Sequence, residues 1–260
     1  MLRWSINLFR IRGIQLSLHG SFLLLLAYVA WEGWWLDGWP GLLWSVAFIV
    51  VLFTCVVLHE LGHCFMARRF GVQVPRILLL PIGGMAEFDS IPRQPRSEIL
   101  IALAGPAVNF GLVALALIFV RFPSGWLESE VAFSFGELGR YVVVLNFVMG
   151  TFNLAPVFPM DGGRVLRALL ATRLPYLQAT FWAATVGKVL AVAAAFSVVY
   201  FLDNWLGGVL FIFIFIAGEI EYRAVRRRER EEAHWQRILV EFYGHPPGTP
   251  PPEPLAERSS

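Results

Sequence analysis

Residues 57–64 read VLHELGHC. His59 and His63 are four positions apart, and on an α-helix such side chains stand one above the other, so both imidazoles can reach a single metal ion. Glu60, one step round the helix, can touch a water on the open side of that ion. This is the equipment of metal-assisted hydrolysis. Two ligands do not complete it, because a catalytic zinc takes three from the protein and keeps a fourth position for water.

The segment 146–164, NFVMGTFNLAPVFPMDGGR, offers the third. Asn153, Pro156 and Pro159 break a helix, Asp161 follows at the break, and Gly162 and Gly163 permit close backbone approach. A carboxylate in such a turn suits a His, His, Asp set. The plainer reading of MDGGR is a turn in which Asp161 caps the next helix. Asp89 is a rival ligand, although the sequence places it towards the exposed end of its segment. His19 stands at the start of the first apolar run, where a lone histidine otherwise serves as a headgroup-level anchor, and His234 and His245 fall in the tail.

The elements that must position these groups lie in lipid. Of 260 residues, 57% are hydrophobic and 15% charged, too apolar for the surface of a soluble domain of this size. Runs approaching the ~20 apolar residues that cross a bilayer as helix occur near 14–36, 42–67, 97–120, 138–155, 186–202 and 205–222. The expected fold class is an α-helical multi-pass membrane protein of about six transmembrane helices. The first run follows Arg3, Arg10 and Arg12 but is long and lacks a small-x-small cleavage site, so it is read as a retained span. An ionisable cluster inside a span is costly to keep and is a functional-site candidate by default, which singles out HELGH.

Residues 71–92 break the helical pattern. Their prolines, glycines and β-favouring Val and Ile predict a re-entrant β-hairpin-like segment after the second span, lying against protein because unpaired strand backbone is not tolerated in lipid. Cys55 and Cys64 project to opposite faces of one predicted helix and cannot form a disulfide with each other. Residues 1–225 read as one membrane domain. Residues 226–260 read as a charged, then Pro-rich cytoplasmic tail whose first part continues the last helix.

With the N-terminus inside, the inner segments hold Arg3, Arg10, Arg12, Arg68, Arg69, Arg76, Arg93, Arg96, Arg164, Arg167, Arg173 and the 223–230 cluster, whereas the outer segments hold Arg121 and Arg140. The positive-inside bias therefore predicts both termini in the cytoplasm. At 1.5 Å per helical residue before Arg68, the metal sits roughly 8 to 15 Å inside that face, and water need only come from there. The net charge of +2, with its arginines at span ends, leaves no nucleic-acid footprint.

HELGH at 59–63, ALAGPAVN at 102–109 and NLAPVFPMDGGRVLRALL at 153–170, in this order and spacing, resemble the site-2 protease family of intramembrane zinc metalloproteases, over roughly residues 14–225. The resemblance implies one zinc held below the membrane surface by His59, His63 and Asp161, Glu60 as general base, and cleavage of a transmembrane protein substrate within the lipid bilayer, as in regulated intramembrane proteolysis. It also implies a part in substrate engagement for Asn153, beside that residue's plain role of breaking the helix. Many relatives carry a PDZ or CBS domain; neither fits in this length, so the chain resembles the minimal six-span type.

Rival functions are a zinc-binding membrane scaffold or chaperone without proteolysis, and a transporter. Glu60 argues against the first, since a structural site needs no base beside an open metal position. A transporter would spread charge over several spans at mid-membrane, whereas here Lys188 is the sole outlier. Five histidines are too few for a histidine-box di-iron oxygenase.

Overall fold

A computed structural model describes residues 4–81, 83–89, 92–122 and 135–243. The chain runs through strands β1 (Ser5–Ile11) and β2 (Ile14–His19), helix α1 (Gly20–Arg69), strands β3 (Arg76–Leu80) and β4 (Gly83–Glu87), and helices α2 (Pro95–Ala116), α3 (Phe135–Asn153), α4 (Asp161–Ala171), α5 (Tyr176–Leu202) and α6 (Trp205–Tyr243). Helices α1, α2, α5 and α6 are long and apolar enough to cross a membrane. Their outer faces leave Leu24, Phe201, Leu206 and Ile220 bare, as lipid-facing surface requires and water-facing surface would not.

Helix α1 is two helices folded back on each other. Asp37 (φ −134°, ψ 16°) and Gly38 (φ 62°, ψ −139°) leave the helical region, the second in a conformation that glycine adopts without penalty, and Pro40 follows. Gly33 and Gly41 then approach so closely that a Cβ on either would run into the carbonyl oxygen of the other. Phe22 meets Phe53 edge-on, with ring centroids 4.4 Å apart. The two halves correspond to the expected runs 14–36 and 42–67, with one correction: residues 14–19 are strand, and helix starts at Gly20. Ile14 and Leu16 are buried on one face, a period-two pattern that merged with the apolar run behind it. Arg12 (φ 47°) and Gly13 (φ 86°) form the two-residue turn from β1 into β2, the positive-φ pair that such hairpins favour.

The four strands form one sheet in the order β1-β2-β3-β4. The hairpin expected in 71–92 is β3–β4, antiparallel, with Ile77 opposite Ala86. It is extended by a parallel ladder to β2, with Leu16 opposite Ile77, a partner the sequence reading did not supply. Ile14, Leu16, Ile77 and Leu79 pack against Phe53, Leu61 and Cys64 of α1 and Ile101 of α2. This core seats the second half of α1 against the sheet on one side and α2 on the other.

Helix α3 stops at Asn153, turns occupy the break, and α4 begins at Asp161. Helix α6 continues through the arginine-rich stretch, as expected, and Arg93 grips Glu232 through hydrogen bonds of 2.9 and 2.7 Å. His245 and the Pro-rich stretch lie outside the described residues. Lys188 is paired with Glu219 at 2.8 Å between α5 and α6. Cys55 and Cys64 are buried free thiols.

Candidate metal centre

The second half of α1 presents His59 and His63, and the first turn of α4 presents Asp161; all three are buried. Asp161 Oδ2 lies 3.3 Å from His59 Nε2 and 3.2 Å from His63 Nε2, and the two Nε2 atoms are 3.1 Å apart. The three residues form the single such cluster of metal-ligating groups among the described residues.

The hydrogen bonds behind the imidazoles say what this convergence is for. His63 Nδ1 faces the carbonyl oxygen of Ile101 at 2.7 Å, and a carbonyl can only accept, so the proton is on Nδ1 and in the neutral ring Nε2 carries the lone pair. His59 Nδ1 lies 2.5 Å from Asn109 Oδ1. The amide of Asn109 is oriented by its own donation to Asn146 Oδ1 at 2.8 Å, and Asn146 in turn donates to the Val142 carbonyl at 2.8 Å. Both histidines therefore turn lone pairs towards one point, and the enclosed Asp161 Oδ2 has no hydrogen-bond partner there. Three electron-pair donors facing each other without a proton between them repel, and a cation removes the repulsion. Two neutral imidazoles and one carboxylate are a zinc donor set, and the acceptors on both Nδ1 atoms are the outer supports such ligands carry. His59, His63 and Asp161 fit zinc.

Glycines let the backbone close round the site. A Cβ on Gly105 of α2 would stand 2.6 Å from His63 Cε1 and 2.7 Å from His59 Cε1. A Cβ on Gly84 would stand 2.6 Å from Glu60 Cγ, so β4 lies directly on the glutamate that adjoins the ligands. Gly162 and Gly163 pack onto the backbone of residues 154–158, and this contact aims Asp161 from the start of its helix.

Further along α4, Arg167 is 2% exposed and fully engaged. It donates to Glu98 Oε1 of α2 at 2.8 and 2.5 Å and to Glu221 Oε1 of α6 at 2.6 Å, and its guanidinium lies over the rings of Phe158 and Tyr176. One side chain thus fastens the ligand-bearing helix to two others.

The structure leaves the remaining sequence candidates outside the cluster. Asp89 contributes its backbone N–H to Gln73 O at 3.2 Å, and its carboxylate is not part of the ligand set. His19 caps α1, accepting from the Ser21 N–H at 3.2 Å. His234 is exposed on α6. Asn153 ends α3 and donates to Met149 O at 3.0 Å. Sequence reasoning gave no role to Asn109, Asn146, Gly105 or Glu98. The usable signal was a glycine and an asparagine four apart in an apolar helix, which places Gly105 and Asn109 on one face.

A model of peptidase family M50 matches residues 47–137 and 127–194. The zinc metalloprotease MJ0392 of Methanocaldococcus jannaschii is 42% identical over 190 residues, covering 73% of this chain and 52% of its own length. Stage IV sporulation protein FB of Bacillus subtilis is 27% identical over 198 residues, covering 75% of this chain and 64% of its own. The chain thus spans between 52% and 64% of the length of these relatives. Among solved structures, the site-2 protease from Methanocaldococcus jannaschii aligns with a TM-score of 0.59 at 36% identity, over 84% of this chain and 95% of that one.

Proposed function

The chain belongs to peptidase family M50, and on that premise we propose that it is an intramembrane zinc endopeptidase that cuts a transmembrane segment of a membrane-tethered protein. The observation that carries the reading is the convergence of His59 Nε2, His63 Nε2 and the unpartnered Asp161 Oδ2, with Glu60 beside them. Held by His59, His63 and Asp161, zinc would supply Lewis-acid chemistry, lowering the pKa of a water and drawing charge from a peptide carbonyl. Glu60 takes the proton released as water attacks and returns it to the departing amine. Asn109 and the Ile101 carbonyl hold the two imidazoles in the tautomer that leaves Nε2 free. Asn153, at the end of α3, engages the substrate chain, which must arrive locally unwound because helical carbonyls are hydrogen-bonded and shielded.

The arginine distribution supports a cell-membrane protein of about six spans with both termini in the cytoplasm and the site near that face, the catalytic unit being 1–225 and the tail 226–260. A suitable probe is a detergent-solubilised fusion protein with one ~20-residue apolar span, interrupted by Asn-Pro, between two soluble tags. Wild type should cut it within the span, as mapped by mass spectrometry. Glu60→Gln should keep zinc and lose turnover, because the amide fits the same space but accepts no proton. Full cleavage by that variant would end the mechanism.

A further inference from the structure

We propose that Arg164 is a further catalytic residue, whose guanidinium donates hydrogen bonds to the oxygen of the scissile carbonyl as negative charge builds on it. This rests on the peptidase reading above.

Arg164 lies one turn after Asp161 on α4, and its Nη1 is 3.9 Å from Asp161 Oδ1. The other oxygen of that carboxylate, Oδ2, is the one facing His59 and His63. The guanidinium and the metal-ligating nitrogens flank a single carboxylate. Asp161 therefore links Arg164 to the ligand cluster.

Its hydrogen bonding is what sets it apart. Nε and Nη2 of Arg164 are enclosed and have no hydrogen-bond partner among the described residues. Arg167, one turn further on the same helix, spends Nε, Nη1 and Nη2 on Glu98 and Glu221. A guanidinium cannot shed its proton, so enclosing one with idle donors is a standing cost that packing alone does not justify. The idle fork needs an acceptor that is absent from the free protein and comes with the substrate. A peptide carbonyl brought to the site is such an acceptor once the Arg164 side chain turns out of its enclosure to meet it.

Its oxygen is neutral beforehand and anionic once the water oxygen has bonded to the carbonyl carbon and the carbonyl π pair has moved onto oxygen. The water's proton passes to Glu60. When the C–N bond breaks, the electron pair returns to the carbonyl, the amine takes the proton from Glu60, and Arg164 keeps all its protons throughout. Its donors thus act most strongly in the transition state, where they raise turnover more than affinity.

The test uses Arg164→Ala and Arg164→Lys of the full chain with the fusion probe, measuring zinc per protein, kcat and KM. Arg164→Ala should hold stoichiometric zinc and lose ~10²–10³-fold in kcat, with KM changed by less than about threefold. Added methylguanidinium should restore part of the kcat of Arg164→Ala and none of that of Glu60→Gln. Arg164→Lys keeps charge but loses the fork, and should also turn over slowly with zinc intact; it carries the test if the alanine variant does not fold. Near-normal kcat in both variants overturns the proposal, as does a rise in KM alone. Zinc lost in step with activity also overturns it, because Arg164 would then only orient Asp161. Cleavage by wild type that survives in the variants removes this inference alone, whereas no cleavage by wild type removes the peptidase reading and this with it.

Discussion

His59 and Asn109 are joined at 2.5 Å, Nδ1 to Oδ1, and the asparagine that makes this contact is itself held by Asn146. The pair decides which imidazole nitrogen carries the proton, and so leaves Nε2 to the metal. Asn109→Ala should lower zinc affinity ~10–100-fold in competition with a chromophoric chelator, the usual cost of losing such a support. Asn109→Asp still accepts from Nδ1 and should retain most of the affinity. Equal affinity in wild type and Asn109→Ala would mean that His59 needs no such guide.

Gly105→Ala sets a methyl group against both imidazoles and should strip the site of zinc. Gly111, on the same helix, has nothing within 4 Å of the corresponding position. Gly111→Ala should leave zinc untouched and stabilise the helix by up to ~1 kcal/mol, the ordinary preference of a helix interior for alanine. Zinc content by atomic emission together with thermal melting in detergent reads both.

Asp161→Asn should lose both zinc and cleavage, since an amide is a poor zinc ligand and removes the charge that offsets the cation in a low-dielectric site. Asp89→Asn should lose neither, because its carboxylate stands outside the cluster. The reverse pattern would move the third ligand to the hairpin segment.

Arg167→Met leaves Glu98, fully buried, without its cation, and should cost about 3–5 kcal/mol. Adding Glu98→Met removes the stranded charge and should recover most of the loss. Denaturant titration of the single and double variants measures this. If the double variant is as unstable as the single, Arg167 stabilises by packing against Phe158 and Tyr176 more than by charge.

What could be read in advance was local. The i, i+4 spacing of His59 and His63 belongs to one helix, the proline-bearing break before Asp161 lies within a few residues, and the hairpin announces itself through its own prolines and glycines. What could not be read depends on partners far along the chain. Residues 15–18 look like the start of a span until β3 pairs with them. Arg164 and Arg167 counted in sequence as positive charge at a membrane edge, yet the structure turns both inwards, because the helix that carries them packs between α2 and α5. Asn109 and Asn146 are apolar-run interruptions without meaning until α2 and α3 lie side by side.

The parallel β2–β3 ladder has a topological effect. β2 ends where α1 begins, and β3 starts just after α1 ends, yet Leu16 and Ile77 are partners in one ladder. Both mouths of α1 therefore open on the same leaflet, and the number of crossings between them is even by parity, whatever the distribution of arginines. Reversing loop charges cannot invert the first span by itself; it would have to carry the whole four-stranded sheet across the bilayer, backbone hydrogen bonds and all. Since β4 of that sheet rests on Glu60, the chain's first strands and this glutamate lie on the same side of the membrane as each other.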